Sequence, residues 1–260
     1  MSKVKTTNIN KLLQIWEKNS LKTSKELSDL GYNTSLLTRY KKSGWLVSPA
    51  KGVYGLAGQT ADWTGGLYAL QKGIDLSIYP GGLFALEQEG YSHYLSMVER
   101  RIFLYGQQIK DLPLWFRKMM NKNNVTVSTR NFLQLEELPL ISRSFGDYSL
   151  MISAPELAYL EMLDGIPKQI SFSEARDIVE NLTMLRASLL QTLLEESSSV
   201  KVNRLALYMA EYHQHDWFFK LNPDSISLGA GKRVIQVAGV LDKKYNITVP
   251  APLLKDESYV

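Results

Sequence analysis

Ser35, Thr38, Arg39 and Lys42 are spaced so that a helix turning about 100° per residue would carry them on one side, with Lys41 on the flank. The run from Thr34 to Ser43 contains no acid. Hydroxyls and cations on one acid-free face can donate hydrogen bonds to phosphate oxygens and to the acceptors on base edges. Lys51, in Pro49-Ala50-Lys51-Gly52, offers a further cation close by. A second basic group lies in Gly229-Ala230-Gly231-Lys232-Arg233. It matches part of a phosphate-binding loop, but Ile226 stands where that loop needs a glycine and Arg233 where it needs Ser or Thr. The stretch therefore reads as a tight turn before a strand, with Lys232 and Arg233 free to meet an anion such as DNA or RNA.

Other chemistry finds little support. There is no cysteine, which excludes disulfides, thiolate metal sites and a cysteine nucleophile. The histidines are His93, His213 and His215. The last two are two residues apart, so on a helix they would not face the same side, and a shared metal would require the helix to have ended before them. Glu156 and Glu161 have no evident metal or basic partner. Tyr79-Pro80-Gly81-Gly82 lacks the spacing of a dinucleotide fingerprint. Glu136-Glu137 and Asp242-Lys243-Lys244 fit a metal-dependent nuclease pattern poorly. No nucleophile, base and orienting group come together. The expectation is a protein that is not an enzyme and has no metal and no cofactor.

The elements that must position the basic residues can be read in order. Ile9, Leu12, Leu13 and Trp16 give a first helix over about Asn8 to Trp16. Thr23 and Glu26 form a capping box for a second helix with Leu27 and Leu30 inside, ended by Gly31. A hydroxyl-capped third helix over Thr34–Ser43 buries Leu36, Leu37 and Tyr40 and ends at Gly44. Trp45 to Leu56 then reads as a β-hairpin with Pro49 to Gly52 at its tip. Three helices followed by a hairpin are the plan of a winged helix-turn-helix, in which Lys51 would reach a phosphate or the minor groove.

The rest of the chain reads as helix from Trp63, strand at 78–80 and helix at 83–88. Strands are expected at 101–105, 124–129 and 148–152, with 115–120 a short helix or loop. Helices follow from Pro155, Ser171 or Ser173, Leu185 and Val202, then strands at 226–228, 233–237 and 247–249. This alternation predicts a mixed sheet with helices packed on it. The fold class is thus α+β: a winged helix-turn-helix over 1–58, then a mixed α/β domain over 59–260 with a sub-boundary near 150. Charge follows the same division. Residues 1–58 hold ten Lys or Arg against Glu17, Glu26 and Asp29, a net +7 within a chain of net +4. A basic head on a mildly acidic body suits a protein of which one part meets phosphate. No apolar run is long enough to span a bilayer, and Met1 to Asn10 lacks a secretory signal's apolar stretch. A cytoplasmic protein without membrane contact is expected.

Four stretches together carry a family resemblance: Gly44-Trp45-Leu46 leading into Gly52-Val53-Tyr54-Gly55-Leu56; Tyr79-Pro80-Gly81-Gly82-Leu83-Phe84-Ala85-Leu86; Leu228-Gly229-Ala230-Gly231-Lys232-Arg233; and Leu241-Asp242-Lys243-Lys244-Tyr245-Asn246-Ile247-Thr248-Val249-Pro250. Their order resembles the AbiEi antitoxins of bacterial type IV toxin–antitoxin systems. The resemblance implies a winged helix that represses its own operon at promoter inverted repeats. It also implies a C-terminal domain that counteracts a nucleotidyltransferase toxin without a stable complex. The chain would be monomeric in solution and bind double-stranded DNA cooperatively. The promoter-reading residues would then be Ser35, Thr38, Arg39, Lys41, Lys42 and Lys51. A ligand-sensing transcription factor without a toxin is the alternative, and a DNA-processing nuclease a further one.

Overall fold

The computed structural model describes residues 7–74, 76–91, 100–106, 109–129, 131–133, 135–235 and 239–250. Along the chain come α1 (Asn8–Gln14), β1 (Lys22–Thr23), α2 (Ser24–Asp29), α3 (Thr34–Lys42), β2 (Leu46–Ala50) and β3 (Val53–Leu56). Then follow α4 (Trp63–Gly73), β4 (Ile78–Pro80), α5 (Gly82–Gln88), β5 (Ile102–Gly106), α6 (Leu114–Lys122) and β6 (Val125–Ser128). The last part comprises β7 (Leu140–Phe145), β8 (Tyr148–Ser153), α7 (Pro155–Asp164), α8 (Phe172–Val179), α9 (Ala187–Glu195), α10 (Val200–Tyr212), β9 (Arg233–Val234), β10 (Val240–Asp242) and β11 (Ile247–Val249). The chain is mixed α and β throughout, as the sequence predicts. Its contacts divide it into two compact units: residues 1–80, 99–129 and 141–152 form the first, and residues 81–98, 130–140 and 153–260 the second. The units do not part at residue 58.

In the first unit, α1, β1, α2 and α3 precede the β2–β3 hairpin, and the strands pair in the order β1-β3-β2. Leu12, Trp16, Leu27, Tyr32, Leu37, Tyr40, Leu46, Tyr54 and Leu56 form its buried core. Nearly all the apolar positions marked by helical spacing reach this core. Leu30 does not: α2 ends at Asp29, and Leu30 is its half-exposed cap residue. The Thr23 cap holds, its hydroxyl accepting from Glu26 N at 3.1 Å. Glu26's carboxylate does not close the capping box but turns to Lys22 Nζ at 2.7 Å. A second cluster joins Leu21, Val53 and Ala69 to Trp115 and Met119. At Gly66 of α4 a Cβ would crowd Phe116 and Met119 of α6. At Gly65 it would run into the carbonyl oxygen of Asn19. These glycines, which sequence marks only as weak helix formers, are what let α4 sit so close to its neighbours.

The sheets are smaller than the predicted single mixed sheet. In the first unit β4-β5-β6 pairs antiparallel then parallel, while β7 and β8 pair with each other. The second unit carries β10-β11-β9, again mixed. Its core is α7, whose residues from Glu156 to Leu163 are all buried, with α5, α8, α9 and α10 packed against it. A helix buried on every side needs no polar face, which is why α7 shows little periodicity. The strand predicted at 226–228 is absent. Asn203 Nδ2 donates to Ser227 O at 2.9 Å and Arg204 Nε to Leu228 O at 2.7 Å, so side chains occupy the carbonyls a ladder would use. The predicted strand from Arg233 is seen over Arg233–Val234; residues 236–238, including Val237, lie outside the described residues, as does His93. Strands β1, β7 and β10 were not foreseen.

Candidate nucleic-acid interface

α3 begins with a side chain that the sequence reading passed over. Asn33, not a hydroxyl of the helix, caps it: Asn33 Oδ1 accepts from Leu36 N at 2.9 Å. The helix ends in a six-to-one and a five-to-two hydrogen bond, Trp45 N to Tyr40 O at 3.0 Å and Gly44 N to Lys41 O at 3.1 Å. Gly44 adopts φ +74°, which a side chain at that position would resist. Leu37 and Tyr40 are buried and Leu36 is partly buried, and this fixes the rotation of the helix. Ser35, Thr38, Arg39, Lys41 and Lys42 are all exposed on the other side.

Two of these side chains are partly committed. Thr38 Oγ1 donates to Thr34 O at 2.9 Å, so its hydrogen is used inside the helix and its lone pairs remain as acceptors. The Arg39 guanidinium lies 5.8 Å from the Tyr40 ring centroid. Lys41 and Lys42 have no ion-pair partner among the described residues. The hairpin tip is shorter than predicted: β2 runs through Pro49 to Ala50, leaving Lys51 and Gly52 as the turn. Pro49 is tolerated because β2 is an edge strand. Lys51 is exposed, and Gly52 O accepts from Ser24 N at 2.8 Å, which ties the tip to the start of α2.

One of the ten cations in residues 1–58 does not belong to the surface. Lys22 is 3% exposed and lies between Glu17, at 2.8 Å, and Glu26, at 2.7 Å. Its ammonium is 5.7 Å from the Trp16 ring centroid and 5.6 Å from that of Tyr68. Tyr68 Oη donates to Glu17 Oε1 at 2.8 Å. Burial opposes charge on Glu17, but hydrogen bonds from Lys22 and Tyr68 outweigh it and hold the carboxyl below the usual glutamate range. Burial and the same hydrogen bond push the Tyr68 phenol up. The cluster withdraws two of the segment's three acids from the cationic surface, leaving Asp29 as the third. Local spacing does not announce the part Tyr68 plays, since Glu17 and Tyr68 are 51 residues apart.

Lys232 and Arg233 are exposed as well, on a turn held by a residue the sequence reading missed. Arg204 is 3% exposed. It donates to Leu228 O at 2.7 Å, Gly229 O at 3.1 Å, Gly231 O at 2.7 Å and Asn246 O at 3.0 Å. The stretch is the expected tight turn before a strand, with Gly229 at φ +56° and Gly231 at φ +76° leading into β9. Burial lowers the pKa of Arg204, and the charge of Arg233 adds to this.

The remaining titratable candidates are structural. Glu156, buried, receives Arg186 Nε at 3.0 Å, Nη2 at 2.8 Å and N at 2.7 Å. Glu161 Oε2 accepts from Gly82 N at 3.0 Å and Ser153 Oγ at 2.7 Å, tying the Tyr-Pro-Gly-Gly turn to α7. His213 and His215 do not share a helix, because α10 stops at Tyr212; Gln214 takes φ +52° and the two rings lie 5.8 Å apart. His215 Nε2 pairs with Val179 O at 2.7 Å, and burial first, then the neighbouring His215, lowers the pKa of His213. Among the described residues no three metal-binding side chains come together, and no helix is long and apolar enough to cross a membrane.

Comparison with known proteins places the chain in a family. A family model of transcriptional regulators, the AbiEi antitoxin N-terminal domain, matches residues 5–97. A second, for transcriptional regulators described as AbiEi antitoxins of type IV toxin–antitoxin systems, matches residues 99–250. The matched segments define a transcriptional regulator. The chain belongs to the AbiEi antitoxin family of type IV toxin–antitoxin systems. Its fold is similar to that of the RV2827C protein from Mycobacterium tuberculosis, with a TM-score of 0.62 over 92% of this chain and 88% of that one at 15% identity. No curated protein matches the chain.

Proposed function

We propose that this chain is an autorepressing antitoxin whose residues 1–58 form a winged helix-turn-helix that reads promoter inverted repeats in double-stranded DNA. The observation that carries this reading is the acid-free, exposed side of α3, with Arg39 and Lys42 beside Ser35 and Thr38 and with Lys51 on the hairpin. Helix α3 follows α2 after a short turn and precedes an antiparallel hairpin, the order in which winged helices present their recognition helix. Arg39 is assigned to base edges, and Lys41, Lys42 and Lys51 to phosphates. Residues 59–260 counteract a nucleotidyltransferase toxin without a stable complex, and Lys232 and Arg233 are their candidate anion contacts. The chain is monomeric until it binds cooperatively at paired sites.

The test is a gel shift on the upstream inverted repeats with Arg39→Ala combined with Lys42→Ala. The double variant is expected to bind at least about tenfold more weakly, some 1.4 kcal/mol. Affinity equal to the parent chain would remove the assigned face. Growth rescue in cells co-expressing the adjacent nucleotidyltransferase tests the second half. The same double variant should still rescue; failure of the parent chain to rescue would overturn the antitoxin assignment.

A further inference from the structure

A cleft in the first unit has no residue of α3 in its lining. It encloses about 350 Å³ between α6 and β6, within the size range of sites that hold small or extended ligands. Its apolar wall includes Leu112 and Met120, and its charged members are Lys110 and Arg117, with no acid among the lining residues. Arg117 is fixed in place: Nε donates to Leu112 O at 3.0 Å and Nη2 to Lys110 O at 2.7 Å. Lys110 is exposed.

β6 contributes three consecutive residues, Val125, Thr126 and Val127. Side chains alternate between the faces of a strand, so a cleft lined by a consecutive run meets the strand's edge rather than one face. That edge has no strand beyond it among the described residues, since the sheet order is β4-β5-β6. The parallel register sets Ile102 against Val125, and Ile102 N donates to Asn124 O at 3.0 Å. In a parallel ladder the backbone groups of alternate residues turn to opposite sides. Asn124 and Thr126 therefore face β5, and Val125 and Val127, both of which line the cleft, turn their N–H and C=O groups away from β5.

We infer that the cleft accepts an extended, acidic peptide segment of a partner protein, which adds a strand to β6 and sets a carboxylate between Lys110 and Arg117. The row of backbone donors and acceptors favours a peptide, which can answer each of them, and the cationic rim selects the acidic side chain.

The probe is a fluorescein-labelled, amidated peptide of alternating valine and glutamate, followed by anisotropy with the full chain. Saturable binding is expected. It should weaken about tenfold or more when lysine replaces glutamate, when alternate peptide amides are methylated, and in the Lys110→Glu protein, whose melting temperature should be unchanged because Lys110 is exposed. Absence of saturable binding up to millimolar peptide, or equal affinity for all three peptides, would overturn the proposal. So would a single-stranded oligonucleotide that displaces the peptide and is itself lost with Lys110→Glu, since that outcome assigns the cleft to nucleic acid. None of these readings depends on Arg39 or Lys42.

Discussion

Arg39, Lys42 and Lys22 show that cations close in sequence can do different work. Arg39 and Lys42 are exposed, and the DNA contact proposed for them should depend on salt. Each phosphate contact adds about 0.9 to the slope of log affinity against log salt, so Lys42→Ala should lower that slope by roughly one. An unchanged slope from a titration at several salt concentrations would place Lys42 off the backbone. Lys22 neutralises Glu17 and Glu26 inside the fold. Lys22→Met leaves both carboxylates without their counter-charge and should cost about 3 kcal/mol in urea denaturation. Glu17's folded pKa is depressed below the ordinary 4.5. Its pairing therefore adds stability that is in place above that value and is lost as pH falls through the folded pKa. The acid limb of a stability–pH curve should flatten in Lys22→Met; an identical limb in both proteins would count against the cluster.

Among elements, α3 depends on its two ends. Asn33→Ala removes the side chain that accepts from Leu36 N and should cost about 1 kcal/mol. Thermal melts will read the loss, and the DNA affinity proposed for α3 should fall with it, because the cap lies two residues before Ser35. A melt identical to the parent would show that the cap does not support the helix. Much of this level was legible in the residues. The helices of the first segment and the α3 face followed from period 3.6 patterns and glycine stops, signals confined to a few consecutive residues. What stayed hidden was too short to show a pattern or depends on distant partners: β1 has two residues and pairs with β3 beyond α3, and β10 has only three residues. The strand expected at 226–228 was lost to Asn203 and Arg204, more than twenty residues upstream. The site divided in the same way. The exposed cations could be named from spacing, whereas Lys22 among acids and Arg204 under the basic turn are positions only the fold defines.

At the scale of the whole molecule, the boundary at residue 58 is a division of sequence rather than of contacts. Leu21 and Val53 belong to one cluster with Ala69, Trp115 and Met119, and Gly65 receives the backbone of Asn19. Residues 1–58 expressed alone should therefore lose cooperative unfolding, while residues 1–152 should retain it. Circular dichroism melts of the two fragments check this, and a sharp transition in the shorter one would make it a self-sufficient module.

The first unit draws on three separated stretches that end at residue 152. A ribosome moving at about 5–20 residues per second must add nearly a hundred residues after the hairpin before that unit can close, a delay of several seconds or more. During that interval Leu21 and Val53 lack the partners that Ala69, Trp115 and Met119 give them in the finished unit. A frameshift or stop codon anywhere before residue 152 should thus yield a product whose first unit cannot close, even with the whole of α3 and the hairpin already translated.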